Sequence, residues 1–422
     1  MKKIKIFSAI IISFFISNQS NAQVGSFNAL TDFLNQMTII PTAVPFLTIT
    51  PDSRSAGMGQ TGVATSPDAN SIHWNPAKLA FAEKKMAVAI SYAPWMRAFV
   101  PDINLGYVSL YSKLDSNSTI GISARYFSMG NITFTSAGST IGQFRPNEYA
   151  IDGCYSRRLG KYFSVGATAR IIRSNLTNGI TVGGQDSKTN TGVAVDLGGY
   201  YHNNEIAILG KKSVMMLGIA ITNMGSKMTY PTSVNRQFLP TNLRIGQGIQ
   251  INLGELHQVS LQYEFNKLLV PSPPVYVIGA NGSPVIGPNG APLILSGKNP
   301  NAGVPQGMLQ SFFDSPDGFK GELQETTLGT GIEYWYDHIF AIRAGYFHES
   351  KYKGNQQFLT LGAGVKYNVF GLDFAYFIPT NGQRSPFQNT LRFTLLFDFD
   401  QAIPQHRYNK DPGDYNFPKS KT

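Results

Sequence analysis

The structured part of the chain ends on strict alternation. Leu391, Phe393, Leu395, Phe397 and Phe399 are apolar at every second position, with Arg392, Thr394, Leu396 and Asp398 between them. Period two marks a strand with one apolar and one mostly polar face. The same pattern recurs upstream. From about Lys84 onward it predicts about fourteen segments, each near the roughly 9–11 residues that cross an outer membrane as a tilted strand. They centre on Met86–Ala93, Ile103–Tyr111, Ile120–Phe127, Tyr149–Ser156, Phe163–Ile172, Val193–Tyr201 and Val214–Thr222. They continue at Leu243–Ile251, Val259–Phe265, Leu328–Tyr336, Ile339–Phe347, Phe358–Tyr367, Leu372–Ile378 and Leu391–Phe399. The register is clearest in the fifth, where Phe163, Val165, Ala167, Ala169 and Ile171 alternate with Ser164, Gly166, Thr168 and Arg170. Arg170 is expected to face a lumen, because a lipid-facing arginine at the midplane costs about 2–4 kcal/mol.

Connections between these segments alternate in length. The short ones are 115–118, 158–161, 202–212, 252–256, 336–338 and 368–370; the long ones are 95–102, 128–148, 174–190, 223–240, 267–323, 349–356 and 380–388. Outer-membrane barrels have short periplasmic turns and long extracellular loops. An even strand number then leaves both ends in the periplasm. The expected fold is all-β: a 14-stranded antiparallel transmembrane β-barrel with an N-terminal plug. Tyr92 and Trp95, Tyr107 and Tyr111, Tyr200 and Tyr201, and Tyr334, Trp335 and Tyr336 gather near segment ends, where interfacial aromatic girdles are expected.

Charge and composition sharpen this. Charged residues are 14% of the chain, well below the roughly 25% of soluble domains, while aromatics reach 12% and mean hydropathy is −0.11. Alternate exposure to lipid produces that combination without helical spans. The net charge of +10 is scattered, with no Lys/Arg cluster suited to nucleic acid. Residues 1–22 read as a signal peptide: Lys2, Lys3 and Lys5, an apolar Ile6–Ile16 stretch, then Ser20-Asn21-Ala22. Cys154 is the single cysteine, so no intrachain disulfide or Cys-based metal site is possible. The six histidines lack metal-ligand spacing and no nucleophile–base pairing stands out, so no catalytic residue, metal or cofactor is expected. Asp152, Asp196 and Asp373 fall mid-strand, as for a polar lumen.

Two segments lie outside the strands. Residues 23–83 form an N-terminal periplasmic or hatch segment, with a helical pattern over Phe27–Ile40; residues 84–399 form the barrel; residues 400–422, with Pro404, Pro412 and Pro418, read as a disordered periplasmic tail. Within the first, Gly57-Met-Gly59-Gln-Thr-Gly62 matches the dinucleotide fingerprint, with Glu83 downstream. The following Val63-Ala-Thr-Ser-Pro67 is turn chemistry, whereas pyrophosphate binding needs a helix there. A glycine-rich segment packed against other backbone inside the barrel fits better. Trp74, Asn75, Pro76 and Ala77 form a plug motif: Asn-Pro favours a turn, and the Trp74 indole needs an apolar seat with a partner for its N–H.

The string Ser55-Ala-Gly-Met-Gly-Gln-Thr-Gly-Val-Ala-Thr-Ser-Pro-Asp-Ala-Asn-Ser-Ile-His-Trp-Asn-Pro-Ala-Lys78, preceded by Phe46-Leu-Thr-Ile-Thr-Pro-Asp-Ser-Arg54, resembles the PorV family, FadL-like outer-membrane barrels of type IX secretion, with the PorQ branch as a close second. The resemblance is sharpest over about residues 41–130. It implies a non-enzymatic cargo shuttle in the outer membrane. Such a protein binds cargo through C-terminal signal domains, associates with the translocon barrel SprA and hands cargo to the surface sortase PorU. Outer-membrane lipid surrounds it. The alternative is a FadL-type uptake channel for hydrophobic small molecules, in which the plug would gate the route.

Connection 267–323 is far longer than ordinary loops, and its apolar runs are punctuated by Pro and Gly. Such a loop must bury itself in its own lumen as a lid or in a partner; the partner reading is preferred. Leu293, Ile294, Leu295, Phe312 and Phe313 are the expected contacts.

Overall fold

The computed structural model describes residues 39–96, 100, 102–136, 139–177, 189–229, 236–280, 282–381 and 390–400. The signal peptide, nearly all of the Phe27–Ile40 pattern and the tail beyond Asp400 lie outside the described residues. The strands are β1 (Met86–Pro94), β2 (Ile103–Lys113), β3 (Ser118–Met129), β4 (Ile132–Ser136), β5 (Ser139–Phe144), β6 (Asn147–Arg158), β7 (Phe163–Asn175), β8 (Asn190–Ile208) and β9 (Lys211–Gly225). They continue as β10 (Asn242–Asn252), β11 (His257–Leu268), β12 (Val275–Tyr276), β13 (Ile294–Ser296), β14 (Thr326–Tyr336), β15 (Phe340–His348), β16 (Gln357–Tyr367), β17 (Phe370–Pro379) and β18 (Leu391–Phe399). Fourteen of them form one closed antiparallel barrel; β4–β5 and β12–β13 are separate two-stranded pairs within its connections. The alternating C-terminal segment closes the ring, with Met86 opposite Phe399 and Tyr92 opposite Phe393. Closure leaves no sheet edge, the condition under which strands survive in hydrocarbon. No helix among the described residues is long and apolar enough to cross a membrane.

Alternation decides which side chains meet lipid. Along β7, Phe163, Val165 and Ile171 are exposed outside, while Ser164, Thr168 and Arg170 are buried inside. On β18, Leu391 and Phe393 face out, and Arg392 and Thr394 face in. The aromatic expectation needs correction. Tyr92 and Tyr336 are outward, but Tyr107, Tyr111, Tyr200 and Trp335 are buried. Their parity along the strand, not their nearness to its end, sets the face. The inward Tyr200 hydroxyl donates to the Thr65 carbonyl, and the Tyr111 hydroxyl to that of Lys84.

One end of the barrel carries the short connections 114–117, 159–162, 209–210, 253–256, 337–339 and 368–369. The start of β1 and the end of β18 lie at that end; the long connections lie at the other. The anticipated 202–212 connection shrinks to Leu209-Gly210, since β8 and β9 stay paired out to Ile208 and Lys211. Both turn residues have positive φ, 52° and 74°, which matches the twist of a two-residue hairpin. Connection 269–325 contains β12, β13 and two short helices, α3 (Val304–Gln310) and α4 (Gly318–Gln324).

The chain before β1 packs against the inward strand faces. It has single-turn helices α1 (Ser53–Ala56) and α2 (Ser71–Trp74) and 3-10 turns at Pro45–Thr48 and Pro76–Phe81. Phe46 and Leu47 cluster with Leu105, Phe127 and Ile172 of the wall, and Ile72 and Leu79 with Ala87, Tyr111 and Cys154. This buried apolar contact is the barrel's core.

Candidate functional site

The inner segment is built around the Asn75–Pro76 turn. Asn75 has extended backbone, and its side-chain oxygen accepts the Ala77 N–H at 3.1 Å, capping the following 3-10 turn. Its side-chain amide donates to the carbonyls of Val63 at 3.2 Å and Gly199 at 3.0 Å, tying the turn to β8. Pro76 fills the first position of the turn, where no N–H is needed. Trp74 is buried, and its indole N–H donates to Asp52 Oδ1 at 2.7 Å. Ala77 is fully buried, and its carbonyl accepts from the hydroxyls of Ser156 and Ser164. Lys78 is buried too, its ammonium donating to the Gly62 carbonyl and Thr65 Oγ1, each at 2.7 Å.

The glycine motif packs rather than cradling phosphate. The helical turn Ser53–Ala56 precedes Gly57, and none starts at Gly62. Gly59 has φ +66°, and a Cβ there would lie 2.4 Å from the Thr330 carbonyl oxygen. Across the contact, a Cβ on Gly345 would lie 2.2 Å from the Gly59 nitrogen. Backbone therefore meets backbone, and no dinucleotide fits between.

The mid-strand carboxylates form ion-pair ladders. Arg125 of β3 pairs with Asp152 of β6 at 3.1 Å; Asp152 pairs with Arg170 of β7 at 2.6 Å; Arg170 pairs with Asp196 of β8 at 2.9 Å. A second ladder runs from Arg54 of the inner segment to Glu333 at 2.8 Å, to Arg343 at 2.7 Å and on to Asp373 at 2.7 Å. Arg343 on β15 reaches Asp373 on β17 across Gly364 of β16, where a Cβ would lie 2.2 Å from Asp373 Oδ1. Glu264, paired with Arg244 at 3.3 Å, accepts the N–H groups of Gly62 and Val63 at 2.7 and 2.8 Å. Buried charges persist only when paired and hydrogen-bonded, so these ladders bind the inner segment to the wall.

At the long-connection end, residues 269–325 are held at their base. Lys267 donates to Glu322 at 2.7 Å and Glu325 at 2.8 Å; Lys353 reaches Glu325 at 3.0 Å. Asp314, Glu322 and Glu325 are the one carboxylate group among the described residues close enough to share a cation. The two lysine ammoniums already pair with Glu322 and Glu325, so these two carboxylates read as a structural clamp. Lys227 donates to the Ala302 carbonyl at 2.7 Å, and Phe238 packs where a side chain on Gly307 would stand, so residues 226–229 and 236–241 brace the loop.

The sequence-predicted contacts stay outside this base. Leu293, Ile294 and Phe312 are exposed; Leu295 is 69% and Phe313 75% exposed. None of the five is buried in the lumen. Phe312 and Phe313 line a groove of about 460 Å³ with Phe319, Leu323 and Thr326, flanked by Lys267 and Glu322. Leu293–Leu295 belong to β13 and its approach and do not line it. Phe319 and Leu323 went unanticipated, although their i, i+4 spacing on α4 was the available signal.

Solved structures similar to this chain include transporters of low sequence identity. The toluene transporter TbuX of Ralstonia pickettii is 13% identical with a TM-score of 0.45, covering 82% of this chain and 98% of its own. The Pseudomonas putida toluene transporter TodX is 11% identical with a TM-score of 0.47, covering 86% and 100%. A FadL homologue of Pseudomonas aeruginosa is 11% identical with a TM-score of 0.43, covering 86% and 99%. No curated sequence matches. The family model described as "Type IX secretion system protein PorV" matches residues 33–275, which include the whole inner segment, its Asn75–Pro76 turn and the strands up to β11. That match spans more than half of the 422 residues, and the chain belongs to the PorV family of type IX secretion system proteins, outer-membrane β-barrels.

Proposed function

We propose that this barrel is a membrane-anchored shuttle that receives secreted cargo by its C-terminal signal domain. It takes the cargo from the translocon barrel, SprA by the family resemblance, and carries it to the sortase PorU by diffusion in the plane of the outer membrane. The long connections lie at the cell surface in this reading, and both chain ends in the periplasm. The barrel catalyses no step. The observation that carries the reading is the apolar loop 269–325, anchored by ion pairs at its base yet exposing Leu293, Ile294, Leu295, Phe312 and Phe313. The groove around Phe312 and Phe313 is a contiguous part of this exposed apolar surface, and such patches mark interaction sites. The ladders that fasten the inner segment support an anchor over an uptake route. A cavity of about 1140 Å³ at the short-turn end is bounded by Ser66, Pro67, Phe81 and Ala82 of that same segment.

Replacing Leu293, Ile294, Leu295, Phe312 and Phe313 together with Ser tests this. Each buried side chain of this class contributes roughly 1.5–3 kcal/mol. Recovery of translocon and cargo with the affinity-purified barrel is expected to fall at least tenfold, since about 1.4 kcal/mol is a factor of ten. Secretion of a reporter cargo should fall with it. Heat-modifiable gel mobility should stay normal, because the barrel strands are untouched. Undiminished recovery and secretion would remove the partner reading.

A further inference from the structure

The loop contains a repeat. Val277-Ile-Gly-Ala-Asn-Gly-Ser-Pro284 is followed by Val285-Ile-Gly-Pro-Asn-Gly-Ala-Pro292, and then Leu293-Ile294 begins a third copy whose eighth residue is Pro300. The structure turns this octad into a cyclic arrangement. The Val277 N–H donates to the Leu293 carbonyl at 2.9 Å, Leu293 to Val285 at 2.8 Å, and Val285 back to Val277 at 2.8 Å. Each octad folds into the same small hairpin. Gly279 N–H donates to Ser283 and Gly287 N–H to Ala291, while Gly282 and Gly290 turn the chain at φ 75° and 74°. The bridge Ile278 to Pro284 is repeated as Ile286 to Pro292, and the third limb closes on the incoming strand, Ile294 against Tyr276. The result is a pseudo-threefold knob fixed by backbone hydrogen bonds.

Equivalent positions of the three limbs present isoleucine. Ile278 is 58%, Ile286 59% and Ile294 37% exposed. Pseudo-symmetry makes this a repeated feature of the octad and not three isolated accidents of surface composition. The chain from Leu268 to Gly297 contains no Asp, Glu, Lys or Arg, whereas the remainder of the loop carries Lys298, Asp314, Asp317, Lys320, Glu322 and Glu325. Absence of charge decides the occupant. An anionic lipid surface is held by Lys and Arg near the contact, and the knob offers none. A protein pocket that is itself uncharged and apolar is the complementary surface. Rigidity favours such an insertion, because little conformational freedom is lost on docking.

We propose that the Ile278–Ile286–Ile294 triad is a preformed plug-in element that inserts into an uncharged apolar pocket of a protein partner, separately from the aromatic groove of Phe312 and Phe313. This rests on the reading of the loop as a partner-binding element.

The test uses the full-length protein in its own outer membrane, with p-benzoylphenylalanine as the photocrosslinking probe at position 286. The expected adduct is a protein peptide that is apolar and free of charged residues. Adducts to lipid or to a second copy of the chain would overturn the proposal. In parallel, a triad variant (Ile278→Ser, Ile286→Ser, Ile294→Ser) is compared with a groove variant (Phe312→Ser, Phe313→Ser) by complex recovery. The triad variant is expected to lose at least tenfold, and a version with Val at the three positions to recover most of it. Because the knob is closed by backbone bonds, it should keep its fold; unchanged amide exchange over 277–297 checks this. Loss in the groove variant alone would overturn the triad proposal while leaving the partner reading intact. Loss in neither would remove both.

Discussion

Two backbone approaches depend on single residues. Gly59 sits at φ +66° with its nitrogen donating to Thr360 Oγ1 at 2.9 Å, and the wall offers Gly345 opposite it. Asn75 is irreplaceable in kind, because one side chain both accepts an N–H and donates to two carbonyls. Asp314 behaves differently. Its side chain is buried and accepts the Ser272 N–H at 3.2 Å. Burial pushes its carboxyl up to about 6, reinforced by the charges of Glu322 and Glu325. That value lies above the unfolded one of about 3.9, so the folded loop binds this proton more tightly than the unfolded chain. The favourable contribution is therefore full below about pH 4 and is lost as pH rises through about 6. Asp314→Asn removes the charge and keeps an acceptor. The expected outcome is slower amide exchange across residues 269–325 than in the unaltered protein at pH 7.5, with the difference shrinking toward pH 5. Equal exchange at pH 7.5 would show that the buried charge does not weaken the loop.

At the level of elements, the inner segment and the barrel wall are complementary surfaces. Small wall residues admit the segment's backbone, and the ladders from Arg54 and Glu264 fasten it. Deleting residues 41–83 is expected to open the lumen, read as a rise in single-channel conductance in planar bilayers. Closure of the sheet needs only the strands, so heat-modifiable mobility should persist, with a lower melting temperature because Arg343, Glu333 and Glu264 lose neighbours. Conductance unchanged from the intact protein would mean the segment does not occlude the pore.

For the whole molecule, the alternation of connection lengths places short turns and both barrel ends on one side. In the proposed orientation that side is periplasmic. A cysteine introduced in the 400–422 tail should resist a membrane-impermeant maleimide on intact cells and react after outer-membrane permeabilisation. Added protease should cut within 269–325 from outside unless a partner shields it. Labelling of the tail on intact cells would invert the topology.

The sequence alone determined the strands and their faces, because period-two alternation is a local property that each segment displays by itself. Leu391 to Phe399 and Phe163 to Ile171 were readable residue by residue. It also carried the family, through the string from Ser55 to Lys78. What the tertiary structure decided involves partners distant in the chain. Tyr107 and Tyr200 stand on the inward parity of their strands, but the carbonyl that receives the Tyr200 hydroxyl, that of Thr65, comes from the inner segment. The mid-strand aspartates become ladders because Arg125, Arg170 and Arg343 arrive from other strands, and a missing side chain at Gly364 lets one reach across. The long loop was legible as apolar, and its octad repeat stands in the sequence. Its closure into a knob was not legible, because the bonds joining Val277, Val285 and Leu293 exist only once three separate turns have formed.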